Sequence, residues 1–174
     1  GNEVTLIATR SVFRSGLFEK YNLSENDRLK SIPIETTDDM YNALEKESKE
    51  KYDMVIHSSA VGDYKPEFSF RMEDLAKELE ELIKERKISY EEILNVLTNP
   101  NCKVNDDTKI SSYEPNLTVK LTLTRKLISN LRRWYPSSLL IGFKLLENVE
   151  REYLLEIARK LCIKNNMDYI IAND

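Results

Sequence analysis

The sequence has few of the residues that build the commonest phosphate-binding and catalytic motifs. Only four of its 174 residues are glycine. Neither G-x-G-x-x-G nor G-x-x-x-x-G-K-[ST] occurs, so the dinucleotide fingerprint and the P-loop are both absent. No G-x-S-x-G elbow indicates a hydrolase, and the two cysteines and single histidine lack zinc-ligand spacing. A site in this chain must therefore be built from other residues.

The sequence also lacks a positive charge excess and long hydrophobic runs. Its net charge is −4 and its pI is about 5.3, which argues against nucleic-acid partners and anionic membranes. No apolar run approaches the length of a membrane span, and no leader pattern opens the sequence. Cys102 and Cys162 lie far apart and fit two free thiols. We expect a cytoplasmic protein that binds neither nucleic acid nor membrane.

Predicted strands and helices alternate along most of the sequence. Strands are expected at Val4–Thr9, at 31–34, where Pro33 restricts the strand to an edge, and at 54–61, 138–143 and 168–172. Helices are expected at 38–51, capped by Thr37, and at 150–165. This alternation predicts an α/β fold with a doubly wound, mostly parallel, Rossmann-like sheet in a single domain over residues 1–174.

Residues 67–123 depart from this rhythm and predict an insertion. Helices are expected at 73–87 and at 89–97, the second opened by a Ser89-x-x-Glu92 capping box. Apolar residues then alternate with polar ones over 117–123, which predicts a strand with its apolar face buried. Such a strand outside the parallel sheet favours a hairpin arm that pairs two subunits. Thr124 is expected to cap the next helix.

Three predicted strands end in residues that suit a binding site. The strand ends are Ala60–Asp63, Phe143-Lys144 and Asn173-Asp174. Parallel strands bring their carboxyl ends to one edge, where doubly wound sheets bind ligands. Each end also has an ordinary reading, as a surface turn, a core aromatic beside a solvated lysine, or a polar strand terminus.

Three further lysines and the histidine are weaker candidates. Lys109 lies in an irregular segment, where a mobile flap can close over a phosphate, or where a lysine can simply be solvated. Lys160 and Lys164 are one helical turn apart and suit either a triphosphate or the solvated face of a helix. His57, inside an apolar strand, fits a core residue better than a base.

Four motifs, in order, carry a resemblance to one family. They are Ser59-Ala-Val-Gly-Asp-Tyr64, Lys109-Ile-Ser-Ser112, Ile141-Gly-Phe-Lys144, and the pair 158–164 and 168–174. Together they resemble phosphopantothenoylcysteine synthetase, also called phosphopantothenate–cysteine ligase, in its short, stand-alone bacterial form. The resemblance spans residues 4–174 and is thinnest at 67–105, and Ser59 stands where the family has alanine.

The resemblance implies a two-step ligation in coenzyme A biosynthesis. CTP, with Mg²⁺, activates the carboxylate of phosphopantothenate as an acyl-nucleotide and releases pyrophosphate. The amine of cysteine then displaces the nucleotide. By resemblance, Ala60, Asp63 and Phe143 contact the nucleotide, and Lys109 is the catalytic residue on the flap. Lys144, Lys160, Lys164 and Asn173 complete the nucleotide site of an expected homodimer.

The sequence departs from the family at both ends, and two other functions stay open. The family's glycine-rich first loop and its elements beyond the last motif are not in this sequence, so we expect the isolated chain to bind nucleotide poorly and not to turn over. One alternative is an NAD(P)-type oxidoreductase, which the missing glycine fingerprint disfavours. The other is a non-catalytic α/β assembly fragment whose 117–123 strand only pairs subunits.

Overall fold

A computed structural model describes residues 1–104, 113 and 115–174 of the chain. A short 3-10 helix, Leu23–Glu25, lies between α2 and β2. The strands and helices follow the chain in this order: β1 Val4–Thr9, α1 Arg10–Phe13, α2 Gly16–Lys20, β2 Leu29–Ile34, α3 Thr37–Glu47, β3 Met54–His57, β4 Tyr64–Arg71, α4 Met72–Glu85, α5 Tyr90–Thr98, β5 Leu117–Leu123, α6 Ile128–Trp134, β6 Leu139–Leu145, α7 Arg151–Lys164 and β7 Tyr169–Asn173.

The chain divides into two compact units. The first, called here the sheet unit, comprises Gly1–Asp63 and Thr124–Asp174, and the second, the hairpin unit, is Tyr64–Leu123. The sheet unit contains the parallel pair β1-β2 and the parallel sheet β3-β6-β7, whereas the hairpin unit contains the antiparallel pair β4-β5. The predicted doubly wound, mostly parallel α/β fold is confirmed. The prediction of one domain with an insertion at 67–123 stays a prediction.

The core of the sheet unit lies where α3 and α6 pack against the strands. Leu131 of α6 and Leu140 of β6 are completely buried. Met40 and Leu44 of α3 belong to the same cluster. As the apolar spacing predicts, the inner face of each helix is the face that carries these residues.

A buried carboxylate ties α3 to the strands. Both oxygens of Glu47 accept from Lys30 Nζ of β2, at 2.8 and 2.7 Å, and Oε2 also accepts from the Tyr52 hydroxyl at 2.6 Å. The Tyr52 hydroxyl lies 3.0 Å from Thr5 Oγ1 of β1. Hydrogen bonds from Lys30 and then Tyr52 hold the pKa of Glu47 below its ordinary value. Charge-assisted hydrogen bonds thus allow this acid to be buried.

Two of the predicted helix caps are placed differently. Thr36, not Thr37, caps α3: Thr36 Oγ1 accepts from the Asp39 amide at 3.0 Å, and the Asp39 carboxylate accepts from the Thr36 amide. Aspartate can replace the usual glutamate of a capping box because it reaches the same amide. Thr124 does not cap α6, which follows Leu127. Its side chain instead forms a hydrogen bond with the turn after β3.

Several predicted element ends move by a few residues. The helix expected at 38–51 ends at Glu47, and the strand expected at 54–61 ends at His57. The strand expected at 138–143 continues to Leu145. β3 pairs with β6 over Met54–His57, whereas β6 continues to Leu145 because it also pairs with β7.

The hairpin unit holds the clearest difference from the sequence prediction. β4 was not predicted; the structure accommodates its Pro66 beside a register shift between Pro66 and Phe68. β5 has the predicted bounds but the opposite burial: Leu121 and Leu123 are 55% and 64% exposed. The predicted helices α4 and α5 are confirmed, the latter with its Ser89–Glu92 capping box.

No helix in the described residues is both long enough and apolar enough to cross a membrane.

Candidate functional site

The carboxyl ends of β3, β6 and β7 lie side by side. β6 is hydrogen-bonded to β3 on one edge and to β7 on the other, and all three strands run parallel. Phe143 and Lys144 of β6 are in register with Ile171 and Ala172 of β7. The structure therefore brings three of the predicted strand ends to one edge of the sheet, and the segment through Asp63 follows the β3 end.

The turn that follows β3 is held by the segment before α6. Thr124 Oγ1 donates to the Gly62 carbonyl at 2.6 Å, and the Thr124 amide donates to the Asp63 carbonyl at 2.9 Å. The Asp63 carboxylate forms an ion pair with Lys126 Nζ. Both side chains are largely exposed, so this end of the turn meets solvent.

Positive charge surrounds Asp63. The Lys126 ammonium holds the pKa of Asp63 below its ordinary value, first by its hydrogen bond and then by its charge, and the charge of Lys144 acts in the same direction. Asp63 is therefore ionised at neutral pH. Lys126 lies in the segment before α6 and Lys144 lies in β6, so their charges together allow this part of the edge to attract an anion such as a phosphate.

Negative charge lies at the other side of the same edge. Glu147, Glu150 and Asp174 line an open depression beside the ends of β6 and β7. Carboxylates repel a phosphate but can accept from hydroxyl or amino groups. A ligand with a phosphate chain and a polar ring would therefore place its phosphates near Lys126 and Lys144.

The remaining predicted residues of this edge are at least partly exposed to solvent. Phe143 is 37% exposed, enough for a base to pack against its ring. Ala60 is exposed, so its backbone can be approached closely. Asn173 ends β7, where its carbonyl accepts from the Leu146 amide at 3.2 Å, and its side chain is exposed.

Lys160 and Lys164 are not brought to this edge. α7 begins after the carboxyl end of β6 and returns to the amino end of β7, so its last turns lie toward the opposite edge. At about 1.5 Å per residue, the helix carries Lys164 roughly 20 Å from its first residue. Lys160 pairs with Glu156 on its own helix at 2.5 Å, and that contact raises its pKa. Their role in binding a triphosphate stays a prediction.

His57 of β3 and Asp168 of the last motif lie in surroundings that indicate a structural role. Burial lowers the pKa of His57, which keeps its imidazole neutral, in keeping with a core residue. Asp168 Oδ2 accepts from Arg132 Nη2 at 2.6 Å and from the Leu140 amide at 2.7 Å. Asp168 therefore fixes the amino end of the β6-β7 pair and lies away from the candidate site.

The predicted flap, with Lys109 and the residues through Ser112, lies outside the described residues. Across the residues that the structure describes, no group of three or more His, Cys, Asp or Glu side chains could hold a metal ion.

Sequence reasoning missed Lys126. Its ammonium pairs with Asp63, which is 63 positions away in the sequence, and no local sequence pattern predicts such a pairing. The only signal was its position: Lys126 follows the end of the 117–123 strand, where the chain returns to the parallel sheet. The site thus gains a second lysine beside Lys144.

Comparison with solved structures supports the fold. The protein described as "The Crystal Structure of the DNA/Pantothenate Metabolism Flavoprotein from Streptococcus pneumoniae" matches all of this chain with a TM-score of 0.71 and 32% sequence identity. The match covers 65% of that chain.

Sequence comparison gives relatives that are named as proteins of coenzyme A biosynthesis. The coenzyme A biosynthesis bifunctional protein CoaBC of Thermococcus kodakarensis is 30% identical over 174 residues, which is 99% of this chain. The protein of the same name from Methanocaldococcus jannaschii is 39% identical over 66 residues, or 38% of this chain. The chain spans 31% of the length of the first relative, and the 66-residue match covers 16% of the second.

A model of one protein family also matches the chain. Residues 1–103 match the model of the DNA/pantothenate metabolism flavoprotein C-terminal domain, and the matched region includes the turn that carries Ala60 and Asp63. The chain belongs to the family of DNA/pantothenate metabolism flavoprotein C-terminal domains.

Proposed function

We propose that this chain carries the nucleotide-binding sheet edge of a phosphopantothenate–cysteine ligase. In the first step, a carboxylate oxygen of phosphopantothenate attacks the α-phosphorus of CTP, and pyrophosphate leaves. In the second step, the amine of cysteine attacks the acyl carbon, and CMP leaves as the amide forms. The relatives are named as proteins of coenzyme A biosynthesis, and this reaction belongs to that process.

The observation that carries the proposal is the grouping at the ends of β3 and β6. An ionised Asp63, two lysines and the half-exposed ring of Phe143 lie on one edge of a parallel sheet. A nucleoside triphosphate offers complementary groups: phosphates for the lysines, a planar base for the ring and donors for the carboxylate. Doubly wound sheets bind nucleotides at this edge.

Each residue then has a chemical role. The Ala60 backbone, Asp63 and Phe143 hold the nucleoside, while Lys126 and Lys144 receive the phosphates and Asn173 contributes a polar contact. Mg²⁺ enters with the triphosphate, whose oxygens supply most of its ligands. Lys109 stabilises the charge that develops on the phosphate during activation.

Nucleotide titration of the chain tests this function. We expect CTP with Mg²⁺, followed by NMR into the millimolar range, to shift the amide signals of Ala60, Asp63, Phe143 and Lys144. ATP with Mg²⁺ should shift them less, and NAD should leave them unchanged. Shifts with NAD alone would favour the oxidoreductase, and no shift with any nucleotide would contradict the proposed site.

Two matched lysine variants locate the phosphates. Lys144→Ala should weaken CTP binding by about tenfold, the ratio that corresponds to about 1.4 kcal/mol. Lys49→Ala, in the segment between α3 and the amino end of β3, removes an equal charge and should leave binding unchanged. Equal weakening by both variants would mean that only the net charge of the chain matters.

We also propose that the chain forms a homodimer through the apolar face of β5. Leu117, Val119, Leu121 and Leu123 are 38–64% exposed, and they alternate with residues that the hairpin unit itself covers. Contiguous exposed apolar surface of this kind marks interaction sites, and a second copy offers an identical face.

Sedimentation of two aspartate variants tests the dimer. Leu121→Asp places a charge in the centre of the apolar face and should convert dimers to monomers. Ile83→Asp, at another exposed aliphatic residue (58% exposed) on α4, should leave the dimer intact. A wild-type chain that stays monomeric at high concentration would contradict the proposal.

A further inference from the structure

A short stretch of chain before α6 contacts both the turn after β3 and the helix α3. It comprises residues 124–126 and is called here the linking segment. Thr124 and Lys126 contact the turn, the first through two hydrogen bonds and the second through an ion pair. Arg125, which lies between them in the sequence, contacts α3 instead. The linking segment therefore joins the candidate site to α3.

The Arg125 side chain lies against one face of α3. Its guanidinium carbon is 4.4 Å from the centre of the Tyr41 ring, and its Nε is 3.7 Å from Asp38 Oδ1. Residues three apart in a helix are neighbours on its surface, so Asp38 and Tyr41 form one contact area. An exposed ion pair holds a side chain only weakly. A planar guanidinium over a ring adds a second contact, which fixes its orientation.

The Tyr41 ring is itself held by the core of the sheet unit. It meets the Trp134 ring of α6 edge to face, with the ring centres 4.7 Å apart and an angle of 78° between the planes. Trp134 is buried, and the partly buried Tyr41 packs against the same apolar cluster. Arg125 therefore contacts a ring whose position the core fixes.

Lys126 is held at its backbone, whereas its side chain is largely exposed. Its carbonyl accepts from Ser129 Oγ and from Asn130 Nδ2 of α6, each at 2.9 Å. A long lysine side chain loses considerable rotamer freedom when it is held in one place. The direction in which it leaves the backbone therefore decides how often its ammonium meets Asp63. Because Arg125 is the preceding residue, its contacts with α3 fix this direction.

The contacts of Arg125 separate its effect from that of a simple charge or a core residue. The groups that lower the pKa of Asp63 are Lys126, first, and then Lys144, while the guanidinium of Arg125 is directed to α3. The Arg125 side chain is also 55% exposed, so its removal opens no cavity in the core. Its effect on the site must therefore pass through the linking segment.

We propose that Arg125 is a positioning residue of the candidate nucleotide site. Its contacts with Tyr41 and Asp38 hold the linking segment against α3. The segment held in this way places the Lys126 ammonium opposite Asp63, where the two groups together meet the nucleotide. The contact with the nucleotide rests on the proposed function, whereas the positioning of Lys126 does not.

NMR titration of the Asp63 carboxyl carbon, without nucleotide, gives the first test. Arg125→Met should raise the pKa of Asp63 toward its ordinary value, because Lys126 then meets the carboxylate less often. Arg28→Met removes an equal charge at the end of β2 far from α3 and should leave this pKa unchanged. In a chain that already carries Lys126→Met, Arg125→Met should cause no further rise. Equal rises in both backgrounds, or no rise in either, would overturn the proposal.

Two variants of Tyr41 test the contact with the ring while every charge stays in place. Tyr41→Leu removes the ring and should raise the pKa of Asp63, as Arg125→Met does. Tyr41→Phe keeps the ring and should restore the wild-type pKa. Thermal unfolding checks that each variant folds, and Arg125→Met, at an exposed residue, decides the question if Tyr41→Leu does not. A wild-type pKa in folded Tyr41→Leu would overturn the proposal.

Titration with CTP and Mg²⁺ separates this proposal from the proposed function. Arg125→Met should weaken CTP binding by about threefold, the ratio that corresponds to about 0.7 kcal/mol, and Arg28→Met should leave it unchanged. If wild type binds CTP and Arg125→Met binds it equally well, the positioning role in the nucleotide site is overturned. If wild type binds no CTP, the proposed function fails, and the pKa of Asp63 still decides whether Arg125 positions Lys126.

Discussion

β5 and β6 are both seven-residue strands rich in leucine, yet their leucine side chains differ in burial. Leu140 of β6 is completely buried, whereas Leu121 of β5 is 55% exposed. β6 has a strand on each edge and α6 against one face. β5 has β4 on one edge, and its own unit covers the face that carries threonine and lysine.

Lys120 shows why the polar face of β5 turns inward. Its ammonium donates to the Thr98 carbonyl at 2.7 Å, pairs with Glu67 at 2.8 Å and lies 5.0 Å from the centre of the Phe68 ring. A long side chain can cover an apolar ring while its charge stays paired. Alternation thus indicates that two faces differ, but partners elsewhere in the chain decide which face is covered.

Paired truncations in the two strands should show the largest difference. Leu140→Ala removes a completely buried side chain and should lower the free energy of unfolding by about 2–5 kcal/mol. Leu121→Ala removes an exposed one and should change it by less than about 0.5 kcal/mol. Urea unfolding at a protein concentration where the chain is monomeric measures both. A large loss from Leu121→Ala in the monomer would show that the hairpin unit buries this leucine.

The same contrast between burial and exposure applies to two lysine–carboxylate pairs. Glu47 is 4% exposed, and Glu47→Gln should cost about 1–3 kcal/mol at neutral pH because Lys30 and Tyr52 lose their charged acceptor. Asp63, in its exposed pair with Lys126, should tolerate Asp63→Asn without a measurable loss of stability.

The pH dependence of the Glu47 effect has a definite sign. The pKa of Glu47 is lowered in the folded chain from an ordinary value of 4.5. Its stabilising contribution is therefore complete above that value and is lost as the pH falls through the folded pKa. Urea unfolding of wild type and Glu47→Gln should give converging stabilities below pH 4.5, and a constant difference across this range would contradict the assignment.

Local patterns predicted most of the sheet unit and little of the hairpin unit. β1 is found with the predicted bounds, and Pro33 lies in an edge strand as expected, because apolar runs and proline act locally. β4 escaped prediction because its proline is accommodated at a register shift. The burial of β5 escaped because Lys120 covers Phe68, a contact between residues far apart in the chain.

Local patterns likewise predicted one part of the candidate site and not the other. Asp63 and Lys144 follow or end apolar strands, so the parallel topology alone predicts that they meet. Lys126 belongs to no motif, and its pairing with Asp63 depends on the return of the chain from the hairpin unit. Long-range electrostatic pairs of this kind leave no periodic signal in the sequence.

The smallest expected effect is on the ionisation of Asp63. In Lys126→Met the pKa of Asp63 should rise toward its ordinary value, because the hydrogen bond and the charge that favour the ionised form are both removed. Lys144→Met should raise it less, since Lys144 contributes only a weaker charge interaction. NMR titration of the Asp63 carboxyl carbon measures both shifts, with Lys160→Met as a control of equal charge on α7. If all three variants raise the pKa equally, the effect is one of net charge, and the Asp63–Lys126 pair does not form in solution.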